Sequence, residues 1–275
     1  MNELLAPSVP MMTLEFHCAS DTGRARSNNE DSAVIDEATA LVVLADGMGG
    51  YNAGEVASGM CTSFIKTELG RWLAEASESA TDTDVRRAMD ICVDNANRAI
   101  FNASNSNPQY AGMGTTLVVA LFYDNKIAVA HIGDSRLYRQ RGERFEQVTK
   151  DHSLLQEQID SGLITREQAR HSANKNLVTR ALGIDPSVEP EIHEYDARVG
   201  DIYLLCSDGL CDMVGDEDIS MALQTLGGNL GLCAQHLVQT ANDNGGRDNV
   251  SVILVRVQRE YPAPRGLAKV FGWLR

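Results

Sequence analysis

The stretch Leu41-Val42-Val43-Leu44-Ala45-Asp46-Gly47-Met48-Gly49-Gly50 joins an apolar run to an acidic, glycine-rich turn. A short apolar run bounded by a turn signal is typical of a buried strand, so the sequence predicts a strand that ends at Asp46. The turn leads into a predicted helix over about 53–72. A single Asp-Gly pair is more often a turn than a ligand, because both residues favour turns for local backbone reasons.

The chain repeats this placement of aspartate at tight turns, most of which adjoin a predicted strand: Asp31, Asp46, Asp134, Asp208 and Asp248. Hard divalent cations prefer carboxylate oxygens held on rigid strand ends, and clustered anions need cations to offset their repulsion. Turn chemistry alone does not explain so many such turns. The pattern therefore predicts a carboxylate-bound cation centre. Glu30 and Asp31 could bind waters held by the cations, and Arg26 could hold a phosphate bidentately.

The remaining segments predict an α+β fold. Strands are predicted at 14–20, 32–36, 115–123, 126–132, 136–140, 145–148, 201–206 and 250–257, and helices at about 84–104, 216–225 and 229–242, with two short helical segments within 152–170. Short turns such as Asp124-Asn125 and Arg141-Gly142 imply antiparallel pairing. Strands in hairpins and helices in pairs favour antiparallel sheets with helices outside over an alternating doubly wound fold.

Composition limits the class of protein. The chain has 275 residues and is 43% hydrophobic, enough for one substantial domain. Its formal net charge of -14 argues against a nucleic-acid surface, which needs clustered Lys and Arg. The six cysteines form no C-x-x-C pair, so we expect reduced thiols of a cytoplasmic protein rather than a zinc site or disulfides.

Three regions are expected along the chain: a leader at 1–12, one domain at 13–258 and a basic, apolar tail at 259–275. The leader has no signal-peptide pattern, and no stretch approaches the length of a membrane span. The tail could dock on a partner or a membrane surface, but a frayed or self-packed terminus is the more ordinary interpretation.

Six motifs in order carry a family resemblance: Arg26-Ser27-Asn28-Asn29-Glu30-Asp31, Ala45-Asp46-Gly47-Met48-Gly49-Gly50, Gly112-Met113-Gly114-Thr115-Thr116, His131-Ile132-Gly133-Asp134-Ser135-Arg136, Cys206-Ser207-Asp208-Gly209-Leu210 and Gly245-Gly246-Arg247-Asp248-Asn249. Together they resemble the metal-dependent serine/threonine protein phosphatases of the protein phosphatase 2C (PPM) family, in particular its compact bacterial members. The match spans about residues 14–257. Each motif is weak alone, but the ordered set is specific.

The resemblance implies a four-layer α/β/β/α sandwich of two antiparallel sheets flanked by helices, with two Mn²⁺ or Mg²⁺ ions in a cleft at one end. Asp46 would bridge the ions, Gly47 would add its carbonyl, and Asp208 and Asp248 would complete one ion. These ligands would activate a water to attack the phosphate that Arg26 holds. Glu30 and Asp31 would act through waters.

A weaker third cation would bind Asp134 together with Asp208, as in bacterial relatives. The region from about 152 to 180 would form a flap beside the active site and is expected to select substrates. The implied partners are phosphoserine and phosphothreonine proteins and a cognate bacterial Ser/Thr kinase whose action the enzyme opposes, and the implied state is a monomer.

One position departs from the pattern of several relatives, which carry a histidine after Asp-Gly to protonate the leaving alkoxide. Here that residue is Met48. We hypothesise that a water on the third cation supplies the proton. His131 and His152 are poorer candidates, because a lone histidine beside a strand is more often structural.

Two other functions compete with this one. Residues 18–24 fit the Cys-x5-Arg pattern of cysteine-dependent phosphatases. That chemistry needs a loop of N–H groups leading into a helix, whereas Asp21 would place a carboxylate in the cradle and no helix is predicted after Arg24. The second alternative is a non-catalytic relative that only binds phosphoproteins. Such members usually lose a ligand, and here every ligand position is filled. Motifs of calcineurin-like phosphatases are absent from the sequence.

Overall fold

The structure, a computed structural model, describes residues 13–50, 53–75, 80–165, 168–169 and 177–261. The strands in these residues are β1 (Leu14–Asp21), β2 (Asp31–Asp36), β3 (Leu41–Met48), β4 (Gly114–Thr115), β5 (Leu117–Tyr123), β6 (Lys126–Ile132), β7 (Arg136–Arg141), β8 (Arg144–Gln147), β9 (Glu191–Asp196), β10 (Ile202–Cys206) and β11 (Val250–Val257). The helices are α1 (Ala53–Glu75), α2 (Asp82–Ser106), α3 (Leu154–Asp160), α4 (Asp208–Cys211), α5 (Asp216–Leu226) and α6 (Leu230–Asp243), with a 3-10 turn at Pro108–Tyr110.

The strands form two antiparallel sheets. One has the order β1-β11-β10-β7-β8, and the other has the order β2-β3-β5-β6-β9 with β4 paired to the end of β3. Helices α1 and α2 cover the second sheet, and α5 and α6 cover the first. The predicted four-layer α/β/β/α sandwich is thereby confirmed.

The first five residues of strand β3 are all apolar rather than alternating. Leu41, Val43 and Ala45 face α1 and α2, whereas Val42 and Leu44 face the other sheet. All five side chains are buried. Successive side chains of a strand point to opposite faces, so a strand covered on both faces needs apolar residues throughout.

Strand β11 is the equivalent central strand of the first sheet. Val252 and Leu254 face the helices of that side, and Ile253 and Val255 face the opposite sheet. Asp46 lies near the end of β3, and Asp248 lies two residues before β11. Both are among the aspartates singled out by the sequence.

Two elements differ from the predictions. Strand β9 was not predicted, because it is an edge strand whose exposed or half-buried positions carry polar residues and so lack an apolar pattern. The predicted strand at 115–123 is interrupted at Thr116, whose N–H donates to the Asp46 carbonyl at 2.9 Å.

The division into leader, domain and tail stays a prediction, since residues 1–12 and 262–275 lie outside the described residues. No described helix has both the length and the apolar character that a membrane crossing requires.

Candidate metal centre

Asp46 lies near the end of β3, directly opposite Asp31 of β2. Two threonines fix its backbone. The Asp46 N–H donates to Thr116 Oγ1 at 3.0 Å, and the Asp46 carbonyl accepts from Thr115 Oγ1 at 2.9 Å as well as from the Thr116 N–H. Sequence reasoning did not predict this role for the threonines, although they belong to the motif at 112–116. Their hydrogen bonds hold the backbone of Asp46 in a fixed position.

Gly47 lies where two chain segments approach each other too closely for a side chain. A Cβ at this position would lie 2.1 Å from the Gly54 carbonyl oxygen and 2.6 Å from the Glu30 carbonyl oxygen. The Gly47 N–H donates to that Glu30 oxygen at 3.1 Å. Glycine is therefore required here, because it alone permits this approach. The contact also brings Glu30 to the beginning of α1.

Asp208 is the first residue of α4, and the hydroxyl of Ser207 just before it connects three strands of the site. Ser207 Oγ donates to Asp31 Oδ2 at 2.8 Å and accepts from the Ser251 N–H at 3.0 Å. Ser207 is fully buried. Asp31, β11 and Asp208 are thus held together across the two sheets, which no spacing in the sequence indicated.

Asn249 has a similar positioning role for the segment that carries Arg26 and Glu30. Its Nδ2 donates to the carbonyls of Thr22 and Asn28, each at 2.9 Å, and its Oδ1 accepts from the Glu30 N–H at 2.8 Å. The side chain is buried. Because one amide satisfies three backbone groups of this segment, it fixes the segment against the end of β11.

Arg26 contacts the carboxylate set directly. Its Nη2 donates to Asp248 Oδ2 at 2.7 Å, while Asp248 Oδ1 accepts from the Asn249 N–H at 2.8 Å. The hydrogen bond to Asp248 raises the pKa of Arg26. The Arg26 side chain is 52% exposed, so the guanidinium lies at the protein surface.

The carboxyl groups near Arg26 lie beside one another, with Asp134 buried and Asp31, Asp46 and Asp208 half-buried. Burial, followed by the charge of Asp31 and then of Asp208, raises the pKa of Asp46 well above its ordinary value. Burial and then the charge of Asp134 do the same for Asp208. The pKa of Asp31 and that of Asp134 are each raised to about 6, chiefly by burial. Such mutual repulsion is the condition that bound cations relieve.

Two oxygens of this set have no protein partner. Asp31 Oδ1 and Asp208 Oδ1 are buried without a hydrogen bond among the described residues. Buried carboxylate oxygens are normally paired or bound to a metal, and oxygen donors are those that Mn²⁺ and Mg²⁺ take. The residues present therefore fit divalent cations.

The aspartates are spread rather than gathered around one point. Among described residues, the only group of three or more candidate donors that all lie within 4.8 Å of one another is His131, His152 and Glu191. A centre of more than one cation needs carboxylates distributed over several ions, which agrees with this spacing.

The positions of Met48 and Cys18 bear on the proton donor and on the cysteine-phosphatase alternative. Met48 lies at the end of β3 opposite Gly114 and offers no ionisable group. Cys18 lies within β1 opposite Ile253, so its neighbouring N–H groups belong to a strand rather than to a phosphate-binding loop. Burial raises the pKa of the Cys18 thiol. The strand position of Cys18 and its raised pKa both oppose a cysteine nucleophile, which needs a lowered pKa.

The fold is a sandwich of two antiparallel sheets, and Arg26 lies beside a set of neighbouring carboxylates that link the two sheets. The family model for protein phosphatase 2C matches residues 23–235. The chain belongs to the protein phosphatase 2C family.

Named relatives agree with this. The chain is 40% identical over 246 residues to the serine/threonine protein phosphatase PstP of Mycobacterium tuberculosis, covering 90% of this chain and 45% of PstP. It is 35% identical over 247 residues to the serine/threonine phosphatase stp of Listeria monocytogenes, covering 89% of this chain and 95% of that protein. The chain thus spans about half the length of the mycobacterial relative and nearly all of the listerial one.

Solved structures show the same fold. The Mycobacterium tuberculosis phosphatase PstP/Ppp superposes with a TM-score of 0.81 at 39% identity, covering 90% of this chain and 99% of that one. The catalytic domain of PstP in complex with two manganese ions superposes with a TM-score of 0.76 at 40% identity, covering 88% of this chain and 97% of that one.

Proposed function

We propose that this chain is a metal-dependent protein phosphatase, a phosphoric monoester hydrolase acting on phosphoserine and phosphothreonine. The observation that carries the proposal is the set of mutually repelling aspartates, two of which have a buried oxygen without a described partner, beside an exposed arginine. The names of the relatives and the two manganese ions of the PstP structure support it.

In this proposal Asp46, Asp208 and Asp248 and the Gly47 carbonyl hold two divalent cations, Mn²⁺ or Mg²⁺, and Glu30 and Asp31 act through waters. Such cations supply Lewis acidity toward phosphate oxygens and generate a nucleophile from water at neutral pH. Arg26 binds the substrate phosphate. Its exposed guanidinium lies beside the carboxylates, so it can turn from Asp248 to a phosphate at the mouth of the cleft.

The substrate protein would lie against the flap region. A cavity of about 610 Å³ lies between α3 of this region and the segment that joins α4 to α5, with Arg136, Asp151 and Asp212 in its lining. We propose that this cavity takes up part of the phosphoprotein chain. A cognate Ser/Thr kinase, a cytoplasmic location and a monomeric state complete the proposal, on the strength of the family resemblance.

The test is phosphate release from a phosphothreonine peptide by metal-stripped protein, titrated with Mn²⁺ and then with EDTA. We expect activity that appears with Mn²⁺ and disappears with the chelator, because the carboxylates need cations to act. The Cys18→Ser variant should behave as wild type. Activity that resists EDTA and is lost in Cys18→Ser would favour the cysteine mechanism, and binding without turnover under any metal would favour the non-catalytic function.

The source of the leaving-group proton gives a separate prediction. We propose that this proton comes from the Asp134 side of the cleft, where a third, weaker cation would bind, since Met48 has no proton to give. Asp134→Ala should then slow an alkyl phosphate more than p-nitrophenyl phosphate, whose leaving group needs little proton assistance. The measurement is kcat on both substrates at saturating Mn²⁺. An equal loss on both would contradict the assignment.

A further inference from the structure

The turn that carries Asp134 is held by one residue from the base of the flap region. Strand β6 ends at Ile132, and Gly133 follows with φ of +99°. The Gly133 N–H donates to His152 Nδ1 at 3.2 Å, and the Gly133 carbonyl accepts from the His152 N–H at 2.9 Å. Both backbone groups of Gly133 are therefore bonded to His152.

The turn has a second contact, with Thr116. A Cβ at Gly133 would lie 2.7 Å from the Cβ of Thr116, so the turn already lies against the residue that fixes Asp46. Asp134 itself is buried, and its charge is the second-largest cause of the raised pKa of Asp208. The position of this turn consequently determines how far the Asp134 carboxylate lies from the rest of the centre.

His152 is itself held on its other sides. Its Nε2 lies 3.2 Å from Glu191 Oε1, and its ring stacks on His131 at a centroid distance of 4.9 Å. His131 Nε2 donates to the Lys150 carbonyl at 2.8 Å. The His152 carbonyl accepts from the Thr179 N–H at 2.8 Å, which joins the two ends of the flap region at this point. The His152 side chain is 6% exposed.

His131, His152 and Glu191 have the composition of a metal site, but their hydrogen bonds oppose that function. Nδ1 of His152 accepts a hydrogen bond from the Gly133 N–H, so neutral His152 carries its proton on Nε2 and donates a hydrogen bond to Glu191. A metal on Nε2 would require an imidazolate or the loss of the Gly133 contact. The group is thus a chain of hydrogen bonds that fixes the ring of His152.

We propose that His152 is a positioning residue for the weak cation site at Asp134, acting through its Nδ1 on the Gly133 N–H. The proposal rests on the proposed function only for the identity of Asp134 as a ligand. Loss of the Nδ1 acceptor leaves the Gly133 N–H without its side-chain partner and frees the turn to move. Partners of this kind, one step behind the ligands, typically change metal affinity about 10- to 100-fold when they are removed.

Two amide substitutions separate the two nitrogens of the ring. In His152→Asn the side-chain oxygen can occupy the place of Nδ1 and accept from Gly133, but it cannot reach Glu191. In His152→Gln the amide reaches the place of Nε2 and Glu191, but nothing replaces Nδ1. The two variants are otherwise similar, because each exchanges a buried ring for a smaller polar amide.

The experiment counts Mn²⁺ bound to each metal-stripped protein by the electron paramagnetic resonance signal of the free ion, together with the melting temperature. Wild type should bind two ions tightly and one weakly. We expect His152→Gln to weaken the weak class about tenfold or more and to leave the tight class unchanged, as loss of an outer-shell partner predicts. His152→Asn should retain the weak class. Counting ions needs no turnover, so the result stands apart from the failure or success of the phosphatase assay.

Three results would overturn the proposal. The first is the same weak-class affinity in wild type and both variants, whatever their melting temperatures. The second is an equal loss of weak binding in Asn and Gln variants, which would assign the effect to the ring rather than to its Nδ1. The third is a wild-type protein that binds only two ions, because then no weak site exists to be positioned.

Discussion

Asp46→Asn should abolish most of the Mn²⁺-dependent phosphatase activity. Asp46 is half-buried beside Asp31 and Asp208, and its backbone is fixed by Thr115 and Thr116, so the amide would occupy the same place without the charge. Cation catalysis of this kind is worth several kcal/mol, so kcat on a phosphothreonine peptide should fall about a thousandfold or more. Steady-state kinetics at saturating Mn²⁺ measure the effect.

Stability provides an independent measurement on the same variant. Because desolvation and then the neighbouring carboxylates raise the pKa of Asp46, its charge opposes folding at neutral pH when cations are removed. The metal-stripped variant should therefore melt at a higher temperature than metal-stripped wild type, and Mn²⁺ should stabilise it less. Asp90→Asn, at an exposed carboxylate on α2, is the matched control and should change neither quantity. Near-normal activity in Asp46→Asn would refute the proposed centre.

Gly47→Ala should unfold or severely destabilise the protein although it adds a single methyl group. The new Cβ would lie 2.1 Å from the Gly54 carbonyl oxygen and 2.6 Å from the Glu30 carbonyl oxygen, and both obstacles are backbone atoms. Overpacking of a close contact typically costs about 1–3 kcal/mol and more when the obstacle cannot move, so we expect at least about 3 kcal/mol here. Urea denaturation measures the change in free energy of unfolding.

Gly50→Ala is the matched control for this prediction. A Cβ at Gly50 would meet no atom of the described residues within 4 Å, and Gly50 follows Gly47 by three positions. The control should therefore unfold near the wild-type urea midpoint. Equal stability of the Gly47 and Gly50 variants would show that β3 and α1 do not approach each other as described.

The predicted elements that the structure confirms are those with a strong local signal. The apolar run of β3 and the run of β11 indicate buried strands by themselves, and the tight turns at Asp124-Asn125 and Arg141-Gly142 lie between paired strands. Strand β9 has no such signal, because its pairing with β6 at a sheet edge decides its conformation. The break of the predicted strand at Thr116 likewise follows from a contact with Asp46, which is distant in sequence.

The candidate site likewise has residues that the sequence predicted and contacts that it did not. The sequence by itself determined the class of fold and predicted the residues of the cation centre, because strand-end aspartates and their ordered motifs are local features of the chain. Only the tertiary structure showed that Ser207 and Asn249 fix the set, that Arg26 contacts Asp248, and that His152 holds the Asp134 turn. These contacts join residues far apart in sequence. Their hydrogen bonds depend on how the two sheets meet, which no local pattern of side chains encodes.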